Sequence, residues 1–355
     1  MKKVKTDEPL KRPAFVRPDK RLLPSKTISE ANTKRGSLVE VANAAEKFAR
    51  AARSNATKRA YASDFRDFSN WCDANRLRCL PAESLTVALY ITALAERGRK
   101  VATISRRLIS IGSVHRKEGH DNPCDKSQKV VRETMQGIRR TLGTHQRGKS
   151  AMTLELLRKV LASLDPNLRG LRDRAILLTG FAGGMRRSEL ASIRTENLWR
   201  HDHGITIFLP SSKTDQEGKG REVDLIRGSQ SNRTPISKLT CPVRSLELWL
   251  SAAEIKSGSV FRHVTVASVV CGGLSGHSIG SIIKCAFRRA GFKAAELERF
   301  SAHSLRAGFA TEAYRNGAKE LDILRQTGHS SIEMLSRYLR SEQGQRIAAA
   351  RKLRL

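Results

Sequence analysis

The sequence predicts a mainly α-helical protein with one small antiparallel β-sheet. Three observations carry that expectation. Residues 47–142 hold four runs with apolar residues at helical spacing. Further along, two β-rich runs, GITIFLP and REVDLI, flank the polar stretch SSKTDQEGKG, which reads as a hairpin with a long loop. From Ser301 the helical period returns, with turns at Asn316-Gly317 and Thr327-Gly328. The expected architecture is an α+β domain preceded by a four-helix domain.

Taken in order, residues 1–46 are rich in Lys, Arg, Pro and Ser and lack a sustained period, so a basic flexible arm is expected. The first helical run places Tyr61, Phe65, Phe68 and Cys72 on one face. The second, PAESLTVALYITALAERG, has Pro81 at its start and Gly98 at its end. Ile104, Leu108 and Ile111 form the stripe of the third, and Val131, Met135, Ile138 and Leu142 that of the fourth. Basic residues lie outside the stripes, among them Lys58, Arg59, Arg106, Arg107, Arg139 and Arg140. Residues 143–152 are polar, basic and glycine-containing, as in a linker. Residues 153–340 form the larger unit, which opens on the amphipathic TLELLRKVLASL and the apolar LRDRAILLTGFAGG. The tail, 341–355, is short, basic and helix-prone.

Composition narrows the partners. There are 66 Lys and Arg against 34 Asp and Glu, a formal net charge of +32, and the excess recurs in every segment. Such a chain fits a polyanionic partner, and basic helix faces repeated within one domain fit DNA better than solvent alone. None of the six cysteines stands in a CxxC or a zinc-spaced array, so they read as reduced, small apolar residues. No apolar run reaches the ~18–20 residues that span a bilayer, and the first residues lack the apolar stretch of a signal peptide. A cytoplasmic protein is expected.

Five short pieces of the larger unit carry chemistry: GMRRSEL with Arg186 and Glu189, SSKTD with Lys213, SAHSLRAGF with His303 and Arg306, TGHSS with His329, and Tyr338 nine positions on. Singly, each has an ordinary reading. A lone arginine or loop lysine is usually solvated, an HxxR pair arises by chance, and a helix tyrosine usually packs. In this order and spacing they resemble the tyrosine recombinases, the phage integrase family, whose pattern is an arginine in a G-x-R-x-x-E-L box, a hairpin lysine, H-x-x-R, Gly-His or Gly-Trp, and a tyrosine. The resemblance covers about residues 50–345 and is closest to the simple two-domain Cre-like and Xer-like members. By position, Arg186 lies two after Gly184 and three before Glu189. Lys213 matches the hairpin lysine, although Lys219 lies in the same loop.

The resemblance implies a core-binding domain over 47–142, a catalytic domain over 153–340, and attack by Tyr338 on a DNA phosphodiester. A phenol with a pKa of about 10 is protonated at neutral pH and needs a base. His303 is the expected base, and Arg186 and Arg306 the guanidinium forks on the phosphate oxygens. His329 is expected to add a further donor, Lys213 to protonate the leaving oxygen, and Glu189 to orient the basic site. Ser330 and Glu333 read as a capping box, with Ile332, Leu335 and Leu339 on the buried face of the Tyr338 helix. Implied partners are double-stranded DNA with an inverted-repeat site and a homo-tetramer on two duplexes, with no cofactor, metal or ATP. Two rivals stay open: a type IB topoisomerase-like strand transferase, and a DNA-binding protein without catalysis.

Overall fold

The computed structural model describes residues 35–51, 54–144, 149–210, 219–228, 240–329, 331–333 and 335. They belong to two compact units that divide between residues 146 and 147.

The first unit holds helices α1 (Arg35–Ala51), α2 (Asn55–Ala74), α3 (Ser84–Glu96), α4 (Val101–Lys117) and α5 (Lys129–Leu142). The last four match the four periodic runs. Ser54 caps α2 by accepting from the Thr57 amide at 3.2 Å, and Gly98 turns the chain after α3 at φ +69°. Phe68, Cys72, Val87, Tyr90, Ile91, Leu94, Ile104, Ile111, Val131, Met135 and Ile138 meet in one core. The stripes are therefore the packed faces, except that Leu142, in the last turn of α5, is exposed. Pro81 precedes the first turn of α3 rather than opening it.

Helix α1 corrects the expectation of a flexible arm over its last dozen residues. The run SLVEVANAAEKFAR is rich in helix formers and carries Leu38, Val41 and Phe48 at helical spacing. All three are exposed. The sequence of the arm reads as unstructured because its Lys- and Pro-rich beginning dominates the composition.

The second unit begins with α6 (Leu154–Ala162), α7 (Leu168–Ala182) and α8 (Arg187–Ser192). An antiparallel sheet follows, in the order β1 (Leu198–His201), β2 (Gly204–Leu209), β3 (Arg221–Ile226). In its register Ile205 faces Leu225 and Ile207 faces Val223, and all four side chains are buried. Then come α9 (Pro242–Ala252), the strand pair β4 (Arg262–Val264) and β5 (Val270–Gly273), α10 (Gly276–Arg289), α11 (Ala294–Leu297), α12 (Ala302–Arg315) and α13 (Glu320–Thr327). Strands β1, β4 and β5 have three or four residues each, too few to show a period of two. The core gathers Ile176, Leu177, Leu190, Ile207, Val223, Trp249, Phe261, Ile283, Phe287 and Leu305.

The start of this unit is stitched to α12 and to the residues just before it. The Ser150 amide donates to Arg299 O at 2.8 Å and the Met152 amide to Ser304 O at 3.0 Å. Gly308 on α12 allows the approach, since a Cβ there would stand 2.1 Å from Met152 O. Of the six free cysteines, Cys72 and Cys241 are buried as expected of small apolar residues, whereas Cys271 and Cys285 are exposed.

Candidate active site

Two glycines shape the site. Gly184 follows α7 at φ +56°, and a Cβ there would lie 2.7 Å from Thr327 Cγ2 and 3.0 Å from Phe309. Gly328 follows α13 at φ +65°, and a Cβ there would lie 2.8 Å from Arg221 Nε. Both positions need a left-handed backbone and have no room for a side chain. They bring the start of α8 and the end of α13 against each other.

Arg186 is the N-cap of α8. Its amide donates to Glu189 Oε2 at 2.9 Å and its Nη1 to Glu189 Oε1 at 2.6 Å. Its Nη2 reaches Gly328 O at 3.4 Å. Glu189 is only 2% exposed in its side chain and is also held by Arg221, whose Nη2 donates to Oε2 at 2.8 Å. Burial pushes the Glu189 carboxyl up. The charge of Arg221 and the hydrogen bonds from Arg186 outweigh it and hold the group below the usual carboxylate range. Glu189 is thus an ionised brace between two guanidinium groups.

Arg306 is fully buried on α12. Its Nη1 donates to Gly184 O at 2.9 Å and also to Thr327 O. Its Nε donates to His329 Nε2 at 3.2 Å. A guanidinium has no acceptor, so Nε2 is the acceptor in this contact. In this arrangement Nε2 meets an arginine rather than the phosphate oxygens to which His329 is expected to add a donor. His329 is buried, and desolvation together with the charges of Arg306 and Arg186 lowers its pKa to about 3.

His303 lies one helical turn before Arg306 and is exposed. Ser301 caps α12 by accepting from the His303 amide at 3.2 Å, which orients the first turn. Desolvation and the charges of Arg306 and Arg186 lower the His303 pKa. For a side chain that faces solvent, the two guanidinium charges are the more durable cause. The ring is then neutral at pH 7, the form a general base needs.

Lys213 and Tyr338 lie outside the described residues. Lys219, the alternative in the same loop, is exposed just before β3. Ser330 and Leu339 also fall outside, while Ile332 and Glu333 are helical. Leu335 packs fully buried with Ala310 and Ile323. Ile332 is 55% exposed, which corrects its place on the buried face. Three residues before Leu335, it sits at the rim of a narrow stripe.

Among the expected DNA contacts, Lys58, Arg59, Arg139 and Arg140 are exposed. Arg106 forms a fork with Asp64 at 2.7 and 2.9 Å. The side chain of Arg107 is 11% exposed and donates to Tyr90 Oη at 2.6 Å and to Asp67. These internal partners argue against Arg107 as a phosphate contact and leave Arg106 half-committed. Sequence reasoning also missed Arg221, which donates to Gln326 O at 2.5 Å as well as to Glu189. Its only signal is a charge opening the otherwise alternating run REVDLI.

Residues 150–345 match the model of the phage integrase family, and residues 48–117 that of the phage integrase N-terminal SAM-like domain. The chain belongs to the phage integrase family, the tyrosine site-specific recombinases, whose members are DNA strand transferases. It is 40% identical over 294 residues to an integrase/recombinase xerD homolog of Selenomonas ruminantium, covering 81% of this chain and 82% of that protein. It is 26% identical to Recombinase cre of Escherichia phage P1, covering 78% and 81%. A similar solved fold is the Tn1549 transposon integrase in complex with transposon right end DNA, with TM-score 0.58, 13% identity, and 88% and 98% coverage. No helix among the described residues is long and apolar enough to cross a membrane.

Proposed function

We propose that this recombinase cleaves and rejoins double-stranded DNA through a 3′-phosphotyrosyl intermediate, with Tyr338 as nucleophile. One observation supports this reading most directly. Arg186 and Arg306, from separate elements, converge on the Gly328–His329 turn, one reaching Gly328 O and the other His329 Nε2. Two rigid forks of donors at one place suit the non-bridging oxygens of a phosphodiester.

In the proposed reaction the Tyr338 oxygen bonds to phosphorus as the bond from phosphorus to the 5′-oxygen breaks. The phenolic proton passes to His303, and the leaving 5′-oxygen takes a proton from Lys213. Arg186 and Arg306 hold the charge that develops on the phosphoryl group, a role that metal ions serve elsewhere. The phosphotyrosyl link keeps the bond energy, so a 5′-hydroxyl from another strand reseals the DNA without ATP. The enzyme then acts in the cytoplasm as a homo-tetramer on two duplexes with inverted-repeat sites, integrating, excising or resolving a mobile element or replicon. The exposed Lys58, Arg59, Arg139 and Arg140 contact the backbone.

A suicide substrate, nicked so that the cleaved strand diffuses away, tests this. A covalent protein–DNA adduct is expected with the wild type and none with Tyr338→Phe. An adduct that persists in the variant removes Tyr338 as nucleophile. With two duplexes, Holliday junctions are expected; relaxation of supercoils without junctions favours a topoisomerase, and no adduct under any condition favours an idle DNA-binding protein.

A further inference from the structure

The site contains one hydroxyl that the proposed chemistry does not use. Thr327 ends α13 and is fully buried. Its Oγ1 has two polar neighbours, Ile323 O at 2.6 Å and His329 Nδ1 at 2.7 Å. A carbonyl oxygen only accepts, so the single hydroxyl proton goes to Ile323. Toward the ring Oγ1 can present only a lone pair, and Nδ1 must meet it with an N–H. At the other side of the ring, Nε2 accepts from Arg306 Nε. Both ends of the imidazole therefore require the same neutral tautomer, protonated on Nδ1 and bare on Nε2.

We infer that Thr327 is a positioning residue of the recombinase site: its hydroxyl fixes His329 in the Nδ1–H tautomer and so makes Nε2 the acceptor that aims Arg306. The opposite tautomer would turn an Nε2–H against the Arg306 Nε–H and push the guanidinium away. His329 then acts on the phosphate through Arg306. Burial of the ring between arginines, which disfavours its charged form, is consistent with this. The inference rests on the reading of Arg306 as a phosphate fork, but its structural half can be tested without DNA.

The test is a two-bond proton–nitrogen spectrum of the full chain with labelled histidine at pH 7, with His329 assigned by the signal lost in His329→Gln. The wild type is expected to show a protonated Nδ1 and a bare Nε2. Thr327→Val keeps the shape without the hydroxyl and should move His329 toward the Nε2–H form. Thr327→Ser should restore the wild-type pattern. Adduct formation on the suicide substrate should slow about tenfold in the valine variant and recover in the serine variant, as for other groups that orient a site histidine. A wild-type ring found as Nε2–H, or a valine variant that keeps Nδ1–H, overturns the inference. The expected spectra together with no adduct from the wild type would leave the tautomer assignment standing and refute the proposed function instead.

Discussion

Arg221 and Glu189 are joined across two elements: the Nη2 of a strand arginine lies 2.8 Å from the carboxylate of a residue on the helix that Arg186 caps. The carboxylate thus faces two guanidinium groups, one with a proposed role in chemistry and one without. Removing it leaves both arginines partly buried without their counter-charge. Glu189→Ala is expected to cost about 3–5 kcal/mol of stability, as for other buried pairs broken from one side. Urea unfolding at pH 7, followed by the loss of helical signal from the second unit, measures it. A cost below about 1 kcal/mol would show that Glu189 is no brace.

Arg221 carries the complementary prediction. Arg221→Ala leaves Gln326 O without its side-chain donor and takes one of the two donors from Glu189 Oε2, which keeps the Arg186 amide; the loss typically costs about 1–3 kcal/mol. Cleavage by the variant should also slow, because Glu189 then holds Arg186 alone. Arg221→Lys should recover stability more fully than cleavage, since an ammonium supplies the charge but not the fork. Equal recovery of both would reduce Arg221 to a structural charge.

The two forks should be costly to replace even conservatively. Arg186→Lys and Arg306→Lys are each expected to slow adduct formation by about 10²–10³-fold, the loss of about 2.7–4 kcal/mol typical of a preorganised donor. Single-turnover cleavage at saturating protein isolates this from DNA affinity. Rates within threefold of wild type would mean that the phosphate sits elsewhere.

Acid should act twice. His303 and His329 both have pKa values lowered below the ordinary 6.5, His329 to about 3. The unfolded chain therefore binds more protons than the folded one as pH falls below 6.5. The stability linked to these rings is fully present above pH 6.5 and is lost on the way down toward pH 3. His329→Gln should flatten the dependence of unfolding free energy on pH between 6.5 and 4. Cleavage at pH 7 should already lie on its plateau, because His303 is neutral there, and should decline only below pH 6.5. A rate that still climbs between pH 7 and 8 would point to a different base.

The residues expected to contact DNA separate by their partners. Each exposed arginine that neutralises a phosphate contributes about 0.9 to the slope of log affinity against log salt. Arg139→Ala with Arg140→Ala should lower that slope by about 1.8, with stability unchanged. Arg107→Ala should do the reverse, because its guanidinium is spent on Asp67 and Tyr90. A clear loss of slope in Arg107→Ala would reinstate it as a phosphate contact.

Much of this architecture was legible in the chain because it is local. The stripe through Phe68 and Cys72, the return of the helical period from Ser301, and the glycines after α7 and α13 are all encoded within a few residues. The family motif likewise names Arg186, His303, Arg306 and His329 by spacing. Arg221 was not legible, because its role depends on a partner 32 positions away and on a carbonyl 105 positions away. Arg107 misled for the same reason: helical spacing shows that a side chain points outward from its own stripe but not that Asp67 and Tyr90 wait there. The direction of the His329 hydrogen bond was hidden too, since it is set by which neighbour takes one threonine proton.

The close approach at Gly308 has a practical side for anyone rebuilding this enzyme. The helix that carries His303 and Arg306 is clasped to the first residues of its own domain, and the clasp tolerates no Cβ. A chimaera that grafts this domain onto another DNA-binding module should therefore be spliced before Ser150, with Ser150 to Met152 kept intact. A junction a few residues later would tear out two backbone bonds, one to Arg299 just before that helix and one to Ser304 in its first turn.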